Sequence, residues 1–335
     1  MSRRIGVVGG SGYVGLSIAR NLSEKFEVTI LDVKSPEDPN FKLAFRQCDV
    51  RSYESVNNAL QGVDLVIHTA IIQIPLINEQ KKLGYEVNVV GTQNVCRAVE
   101  ENANIKGMIL AGTWHTIGER SIVGVVDEEF GLRPDKVEER AVKYALSKMA
   151  QESIVRLHDE MSEKIYGIIR MGTVLGEDMP KGTAANIFIE KGMKGESITP
   201  FRHSMYRPML YVDINDICKA YSVYAMKILN GECGKNGNSL AHIVNVYYPR
   251  PITILRLAEI VKSAITDCSH GEVTPRTEIV DSELPALFTK DDVDRIKVDI
   301  SKARDYFGLR KLTSPQESIS RIVRTRFDRM QKKTQ

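Results

Sequence analysis

The chain has 335 residues, which is enough for a large buried core and, at roughly 150 residues per domain, predicts two domains or one domain with a sizeable addition. Its 42% hydrophobic and 27% charged residues are close to the averages of globular proteins, which excludes a disordered chain, a collagen-like repeat and a disulfide-rich miniprotein. The 46 Lys and Arg against 43 Asp and Glu leave a net charge of only +3, which does not indicate binding to nucleic acid or to an anionic membrane.

The five cysteines are scattered along the chain, odd in number and never spaced as Cys-x-x-Cys. This pattern predicts reduced thiols and neither a disulfide framework nor a metal site. No apolar signal segment precedes Ile5, and no stretch reaches the roughly 18 apolar residues that a membrane span requires. We therefore expect a cytoplasmic protein without a membrane partner.

Short β-branched runs alternate with longer helical patterns from residue 4 onward, which is typical of βαβ units. The strands are predicted at 4–8, 27–31, 42–48, 65–68, 106–110 and 166–170, and the helices between them at 14–22, 53–60, 85–102 and 137–158. Such a succession predicts a doubly wound parallel sheet that is buried on both faces, which is a Rossmann-type α/β fold.

The pattern loosens after Gly176. Helical stretches at 184–192, 214–229 and 254–264 flank a short extended piece at 210–212. We predict that residues 1–176 form the first domain, and that residues 177–335 form mainly a smaller C-terminal α/β lobe interleaved with the last strands of the sheet.

Three glycines, at positions 9, 12 and 15, follow the first predicted strand and open the first predicted helix. They permit a tight turn whose backbone N–H groups approach a pyrophosphate, although a plain strand-to-helix turn has the same pattern. Asp32 lies 20 residues beyond Gly12 at the end of the second strand, where a carboxylate binds ribose hydroxyls and repels a 2′-phosphate. The pattern favours NAD, bound by Asp32 and by Gly9, Ser11, Gly12, Tyr13, Val14 and Gly15.

Tyr144 and Lys148 lie four residues apart in a helical pattern, so their side chains share one face. Most such pairs are solvated, but this one has a chemical use. A tyrosine with a pKa near 10 is a poor base at neutral pH, and a neighbouring cation lowers a pKa by roughly 1–3 units. The spacing therefore indicates a phenol that a lysine and an oxidised nicotinamide turn into a base.

These motifs together resemble the short-chain dehydrogenase/reductase superfamily, in the extended form that includes NAD-dependent sugar-nucleotide epimerases and dehydratases. The resemblance covers essentially the whole chain. It includes Gly112-Thr113-x-x-x-x-Gly118, the segment from Arg170 to Gly176 and the segment Asp299-Ile300-Ser301-Lys302-Ala303. It implies further cofactor-binding residues at Asp49, Val50, Thr69, Ala70 and Asn88.

The resemblance also implies a catalytic set of Thr113, Tyr144 and Lys148. In this set Thr113 holds the reacting oxygen, Tyr144 is the acid or base, and Lys148 orients the ribose and lowers the pKa of the phenol. Tyr144 and Lys148 thus serve the cofactor as well as the substrate. The resemblance predicts an NAD-dependent enzyme in which protein groups move protons and the cofactor moves hydride.

Departures from the family pattern bear on the substrate. Dehydratases and decarboxylases of the family carry acidic residues after the catalytic hydroxyl, where this chain has Trp114 and His115, so epimerase is favoured. Both residues are candidates for substrate binding, with packing as the alternative role. Arg207 matches a family arginine that grips a nucleotide diphosphate, but a second arginine expected before Asp299 is absent.

Three hypotheses follow. The first is an epimerase of a nucleotide-activated sugar that passes through a keto intermediate and retains its NAD. The second is a net alcohol/ketone oxidoreductase of the 3β-hydroxysteroid dehydrogenase or dihydroflavonol reductase type, and the third is an NAD-sensing protein without activity. The resemblance further implies a homodimer formed through the helices at 85–102 and 137–158.

Overall fold

A computed structural model describes residues 3–38, 41–235 and 237–334. Its centre is a seven-stranded, wholly parallel sheet with the strand order β11-β7-β5-β4-β1-β2-β3. The strands are β1 Arg4–Val8, β2 Glu27–Asp32, β3 Ala44–Gln47, β4 Leu65–His68, β5 Gly107–Thr113, β6 Gly124–Val126, β7 Ile165–Met171, β8 Thr173–Leu175, β9 Pro208–Met209, β10 Tyr211–Asp213, β11 Ile243–Val246, β12 Ile252–Thr253 and β13 Ile296–Val298.

Helices cover both faces of this sheet. They are α1 Tyr13–Leu22, α2 Tyr53–Ala59, α3 Leu76–Glu79, α4 Lys81–Tyr85, α5 Gly91–Glu101, α6 Val142–Met161, α7 Ala184–Met193, α8 Ile214–Asn230, α9 Ile254–Cys268, α10 Ser301–Phe307 and α11 Pro315–Thr334. No helix in the described part of the chain is both long enough and apolar enough to span a bilayer.

Successive strand residues alternate between two hydrophobic cores, as the side-chain period of two requires. Val7 packs in the core that contains α1 and α8, whereas its neighbour Val8 packs in the core that contains α2 and α5. Leu65 and Ile67 on β4 join the first core, and Val66 joins the second. The predicted doubly wound α/β fold is confirmed, and the continuous apolar runs are explained by burial on both faces.

The helix predicted at 137–158 differs from the structure. The α-helix α6 begins at Val142, and two 3-10 turns, Pro134–Lys136 and Glu139–Ala141, precede it. Val137 and Ala141 nevertheless pack with Ala145 and Met149 in one apolar cluster. The apolar spacing therefore predicted correctly which residues are buried together, although residues before Val142 are not α-helical.

The helix predicted at 85–102 is interrupted. Its first part is a π-helical turn, Glu86–Val90, that separates α4 from α5. Asn88 lies in this turn and is fully buried. Its side-chain oxygen accepts the Ile72 backbone N–H at 2.7 Å, and its side-chain nitrogen donates to the Ile72 carbonyl at 3.1 Å and to the Ser147 hydroxyl of α6 at 2.9 Å. The π-turn thus ties the loop after β4 to α6.

The second half of the chain returns to the sheet. Strand β11 pairs with β7 at the sheet edge, and α8 packs beside α1. The remaining strands form three small pairs, β8 with β10, β9 with β12 and β6 with β13. Helices α7, α9 and α11 cluster beside them, and α7 with the first residue of α9 lines part of a cleft at the carboxyl edge of the sheet.

Candidate active site

A cleft of about 700 Å³ opens at the carboxyl ends of the central strands, where open α/β sheets bind their ligands. Tyr13 and Val14, which follow the turn after β1, line one end of it, and residues from α7 and the segment 199–209 line the other. We call the first end the cofactor wall and the second end the substrate wall. The predicted catalytic residues lie between the two walls.

The cofactor wall is built around a turn that only glycine permits at two positions. Gly9 has φ +76°, and a Cβ there would lie 2.4 Å from the backbone nitrogen of Ala70. A Cβ on Gly15 would lie 2.5 Å from the Gly9 carbonyl oxygen and 2.6 Å from the Thr69 hydroxyl. The turn is therefore a backbone cradle in the position that the glycine spacing predicts.

The side chains around the turn hold its shape. The Thr69 hydroxyl lies 2.9 Å from the Val8 carbonyl and 3.0 Å from the Gly9 carbonyl, so it supports the turn from below. The Asp32 carboxylate accepts hydrogen bonds from the Ser11 backbone at 3.0 Å and from its neighbour Val33 at 2.7 Å. Asp32 stands beside the turn as predicted, and Tyr13, Val14 and Thr69 line the cleft.

Three other predicted cofactor residues have protein partners. Asp49 is ion-paired with Arg51 at 2.6 Å, and this hydrogen bond lowers the pKa of the Asp49 carboxyl. Val50 is buried against Gly91 of α5, where a Cβ would come within 2.6 Å of it. The Asn88 amide is hydrogen-bonded to Ile72 and Ser147, so Asn88 would affect a cofactor only indirectly, by positioning the loop after β4 and helix α6.

The structure brings Thr113, Tyr144 and Lys148 together in the cleft. Thr113 ends β5, and its hydroxyl lies close enough to the Tyr144 phenol to act against the rise in the pKa of that phenol. Lys148 lies one turn further along α6 and donates to the Ala111 carbonyl at 2.8 Å. The shared helix face that the spacing predicts is therefore turned into the cleft and not towards solvent.

Burial controls the charge of these groups. It raises the pKa of Tyr144 to about 12, against the lowering effect of the Thr113 hydroxyl, so the phenol is protonated at neutral pH. It also lowers the pKa of Lys148 to about 7. The protein alone thus presents Tyr144 as an acid, and its use as a base requires additional positive charge nearby.

Trp114 and His115 follow Thr113 in a 3-10 turn but point to different places. Trp114 is 1% exposed, and its indole donates to the Thr173 hydroxyl at 3.2 Å, so the structure gives it a packing position and not a place on the cleft wall. His115 does line the cleft. Its Nδ1 is hydrogen-bonded to the carboxylate of Glu119, which is itself buried.

Arg207 lines the substrate wall and is 5% exposed. Its guanidinium is ion-paired with the buried carboxylate of Glu138, which also accepts a hydrogen bond from Arg140 at 3.1 Å. Lys191 on α7 adds a further cation and donates to Thr199 at 3.1 Å. None of the described residues that line the cleft is acidic, so the substrate wall favours an anionic ligand.

A family model for the NAD dependent epimerase/dehydratase family matches residues 5–238. The chain belongs to this family. The family predicted from the motifs is therefore confirmed, and so is its classification as an NAD-dependent enzyme.

Individual relatives of the family cover the chain to different extents. A Methanocaldococcus jannaschii protein provisionally named UDP-glucose 4-epimerase is 28% identical over 95% of this chain and 96% of its own length. A Bos taurus sterol-4-alpha-carboxylate 3-dehydrogenase, decarboxylating, is 28% identical over 58% of this chain and 52% of its own length. The solved structure of Thermus thermophilus UDP-glucose 4-epimerase with NAD has a TM-score of 0.76 at 22% identity and covers 96% of this chain and 99% of that chain.

The residues of this epimerase-family member fit the cofactor. Gly9 and Gly15 let the turn pack tightly against Thr69 and Ala70, which is the close backbone packing that a pyrophosphate-binding turn needs, and Asp32 lies beside this turn, where a carboxylate would bind a ribose. Lys148 keeps one N–H on Ala111 and has two further donors. These residues would hold NAD on the side of the cleft that faces Tyr144.

Sequence reasoning missed four residues of the site, namely Glu119, Glu138, Arg140 and Lys191. Glu119 had a local signal, since Gly118 has φ +67° and turns the chain so that the carboxylate meets His115 four residues earlier. Glu138 and Arg140 had none, because the sequence predicts a helix there, whereas Glu138 lies between two 3-10 turns and Arg140 lies in the second of them. Their importance comes from Arg207, some 70 residues away.

Proposed function

We propose that this enzyme epimerises a nucleotide-activated sugar through a transient ketone. The observation that carries the proposal is the placement of Thr113, Tyr144 and Lys148 between a glycine cradle and a basic substrate wall. The names of the Methanocaldococcus jannaschii and Thermus thermophilus relatives support a sugar attached to a uridine diphosphate.

The proposed role of each residue follows from its position. Thr113 holds the oxygen of the reacting hydroxyl, and Tyr144 takes its proton in the oxidation and returns it in the reduction. Lys148 supplies positive charge that favours the phenolate. When bound, NAD supplies the hydride acceptor and then the hydride donor. Inversion requires that the ketone turn within the cleft before it is reduced.

We propose that Arg140 and Arg207 together bind the diphosphate of the substrate. Arg207 matches the arginine of the family pattern, and Arg140 meets it on the shared carboxylate of Glu138. Arg140 thus replaces the second arginine that the sequence lacks before Asp299. Phe288, which occupies that region, lies 5.8 Å from the Arg207 guanidinium and covers it.

The test is incubation of the purified protein with UDP-glucose or UDP-galactose. We expect the other epimer to form, seen by proton NMR of the anomeric signals, while absorbance at 340 nm stays flat after the first turnover. Steady growth of that absorbance with no epimer would overturn the epimerase proposal.

A second candidate is a net alcohol/ketone oxidoreductase. It is favoured by the apolar residues that line much of the cleft, which include Ile71, Ile74, Met179, Ile187, Phe188 and Phe201. The Bos taurus relative named for a sterol substrate adds to this support. This candidate predicts stoichiometric NADH formation from an apolar alcohol. A silent NAD sensor is disfavoured because it has no use for the Thr113, Tyr144 and Lys148 set.

We also propose a homodimer formed through α5 and α6. Leu146, Leu157 and Met161 form an apolar stripe on one face of α6 and are 45%, 59% and 66% exposed. Leu157→Glu is expected to convert a dimer to a monomer in sedimentation velocity. Leu284→Glu, at a similarly exposed leucine elsewhere, is expected to leave the dimer intact. A monomeric parent protein would refute the proposal.

Two further predictions complete this proposal. Residues 1–176 serve as the NAD-binding domain and residues 177–335 mainly as the substrate lobe, which the positions of the two cleft walls support. The cysteines are free thiols, which supports the predicted cytoplasmic location.

A further inference from the structure

His115 stands on the same stretch of cleft wall as the catalytic tyrosine. The 3-10 turn after Thr113 brings its ring edge-on to the Tyr144 ring, with the centroids 5.9 Å apart. Its side chain is 19% exposed and lines the cleft. Two proton-carrying side chains therefore line the same part of the cleft.

Glu119 fixes the orientation and tautomer of this imidazole. Its carboxylate is 1% exposed, bonds Nδ1 of His115 and accepts the Glu138 backbone N–H at 3.1 Å. Burial alone would raise the pKa of Glu119, but the hydrogen bonds from His115 and Glu138 bring it to about 2, so the carboxylate is ionised. An ionised carboxylate accepts and does not donate, so Nδ1 carries a proton, and in the neutral ring the lone pair is on Nε2.

The Nε2 atom of His115 is available to a ligand. It has no hydrogen-bond partner among the described residues, and it is not enclosed by the protein. His158 makes a comparable pair with Glu100 at 2.7 Å, but its Nε2 faces Gln93 at 3.3 Å and lies outside the cleft. The same pairing thus leaves a free basic nitrogen at His115 and a satisfied one at His158.

We propose that His115 is a second base, which removes a proton from the carbon next to the transient ketone. The C–H bond breaks, its electron pair forms an enolate, and the proton passes to Nε2. Thr113 and protonated Tyr144 hold the enolate oxygen, while Glu119 stabilises the imidazolium without taking its proton. Return of a proton to the carbon restores the ketone. The inference rests on the proposed function only in that the ligand is a ketone of a nucleotide sugar.

This proposal gives the site an activity that hydride transfer does not. A proton held on His115 exchanges with water, so the carbon next to the ketone acquires solvent hydrogen. Return of the proton to the opposite side of the enolate would also invert that carbon. The site is thereby able to act on two adjacent positions of one sugar.

The test supplies the ketone directly, so that it does not depend on oxidation. The holoenzyme is incubated in D₂O with a uridine diphosphate sugar that already carries a ketone at C4, and deuterium at the adjacent carbons is followed by mass spectrometry. We expect exchange well above the buffer rate. His115→Gln should slow it by about 100-fold or more, which is the lower range for loss of a general base. Glu119→Gln should also slow it, because an amide N–H that donates to Nδ1 holds the imidazole in the wrong tautomer.

Controls separate a base from a structural residue. His270→Gln, at an exposed histidine in a distant turn, should exchange at the parent rate. His115→Gln should lose at least about tenfold more exchange than ketone reduction with NADH, since reduction takes its proton from Tyr144 and only exchange needs a general base at His115. Equal loss of reduction and exchange would mark His115 as structural and overturn the proposal.

The remaining outcomes are also decisive. A ketone that binds and is reduced but gains no deuterium overturns the role of His115 and leaves the proposed function standing. A ketone that does not bind, measured by equilibrium dialysis, overturns the proposed function and this inference with it. Exchange without reduction supports His115 and counts against the epimerase proposal.

Discussion

The two walls of the cleft are built in different ways. The cofactor wall comes mainly from one strand-turn-helix unit, and its shape depends on backbone contacts such as those of Gly9 and Gly15. The substrate wall depends on side chains from distant segments, with Glu138 joining Arg140 to Arg207. It also retains unsatisfied buried atoms, namely Oε2 of Glu138 and Nε of Arg207. The backbone turn of the cofactor wall therefore keeps its shape without a ligand, whereas the charged groups of the substrate wall still lack hydrogen-bond partners that a ligand could supply.

Between the walls, Tyr144 is the group whose loss should have the largest effect. Tyr144→Phe removes the proton carrier but keeps the ring, so turnover should fall by about 10²–10⁴-fold. Affinity for NAD, measured by titration calorimetry, should fall far less than turnover because the cofactor wall is untouched. Tyr85→Phe, at an exposed tyrosine outside the cleft, is the matched control. Turnover that survives in Tyr144→Phe would remove the phenol from the mechanism.

The substrate wall is tested by removing one cation at a time. Arg207→Met strands the buried Glu138 carboxylate, so the free energy of unfolding should fall by about 3–5 kcal/mol. Arg140 is 52% exposed, and Arg140→Met should change it by less than about 1 kcal/mol. Urea unfolding at pH 7 measures both.

A second substitution distinguishes the stranded charge from lost packing. Adding Glu138→Gln to Arg207→Met removes the carboxylate that has lost its partner, and should recover part of the stability. If the two single arginine variants lost equal free energy of unfolding, the buried Arg207–Glu138 pair would contribute no more to stability than the exposed Arg140–Glu138 pair, and the prediction would be wrong.

The same contrast explains how much the sequence could predict. The glycine spacing and Asp32 lie within one βαβ unit, and Tyr144 with Lys148 lies on one helix face, so their positions depend on local geometry. The parallel sheet could be predicted because burial on both faces leaves apolar runs. The partnership of Glu138 with Arg207 could not, because it is made across 69 residues by a turn that the apolar spacing presents as helix.

Lys148 links catalysis to stability. Burial lowers its pKa from 10.5 to about 7, so between these values the unfolded chain binds a proton that the folded chain does not. Stability contributed at this site therefore rises with pH through that window, and below pH 7 the full penalty of the buried charge is present. Lys148→Met should be more stable than the parent by about 2–4 kcal/mol at pH 6.5, and by less at pH 9, while losing turnover. Urea midpoints at the two pH values check the sign, and an advantage that grew with pH would refute it.

The smallest expected effect is on the stability of the cofactor wall, and it is measured by substituting two glycines of the same turn. A Cβ at Gly15 would meet the Gly9 carbonyl at 2.5 Å, whereas one at Gly12 would meet nothing nearer than 3.4 Å. Gly15→Ala should therefore lower the free energy of unfolding by about 1–3 kcal/mol, as overpacking does. Gly12→Ala should stay within about 0.5 kcal/mol of the parent, since its φ of −74° suits any residue. Melting temperatures measured without NAD report this strain and not a loss of cofactor binding. Equal melting temperatures for the two variants would show that the turn moves to accept a Cβ at Gly15, which would contradict the prediction.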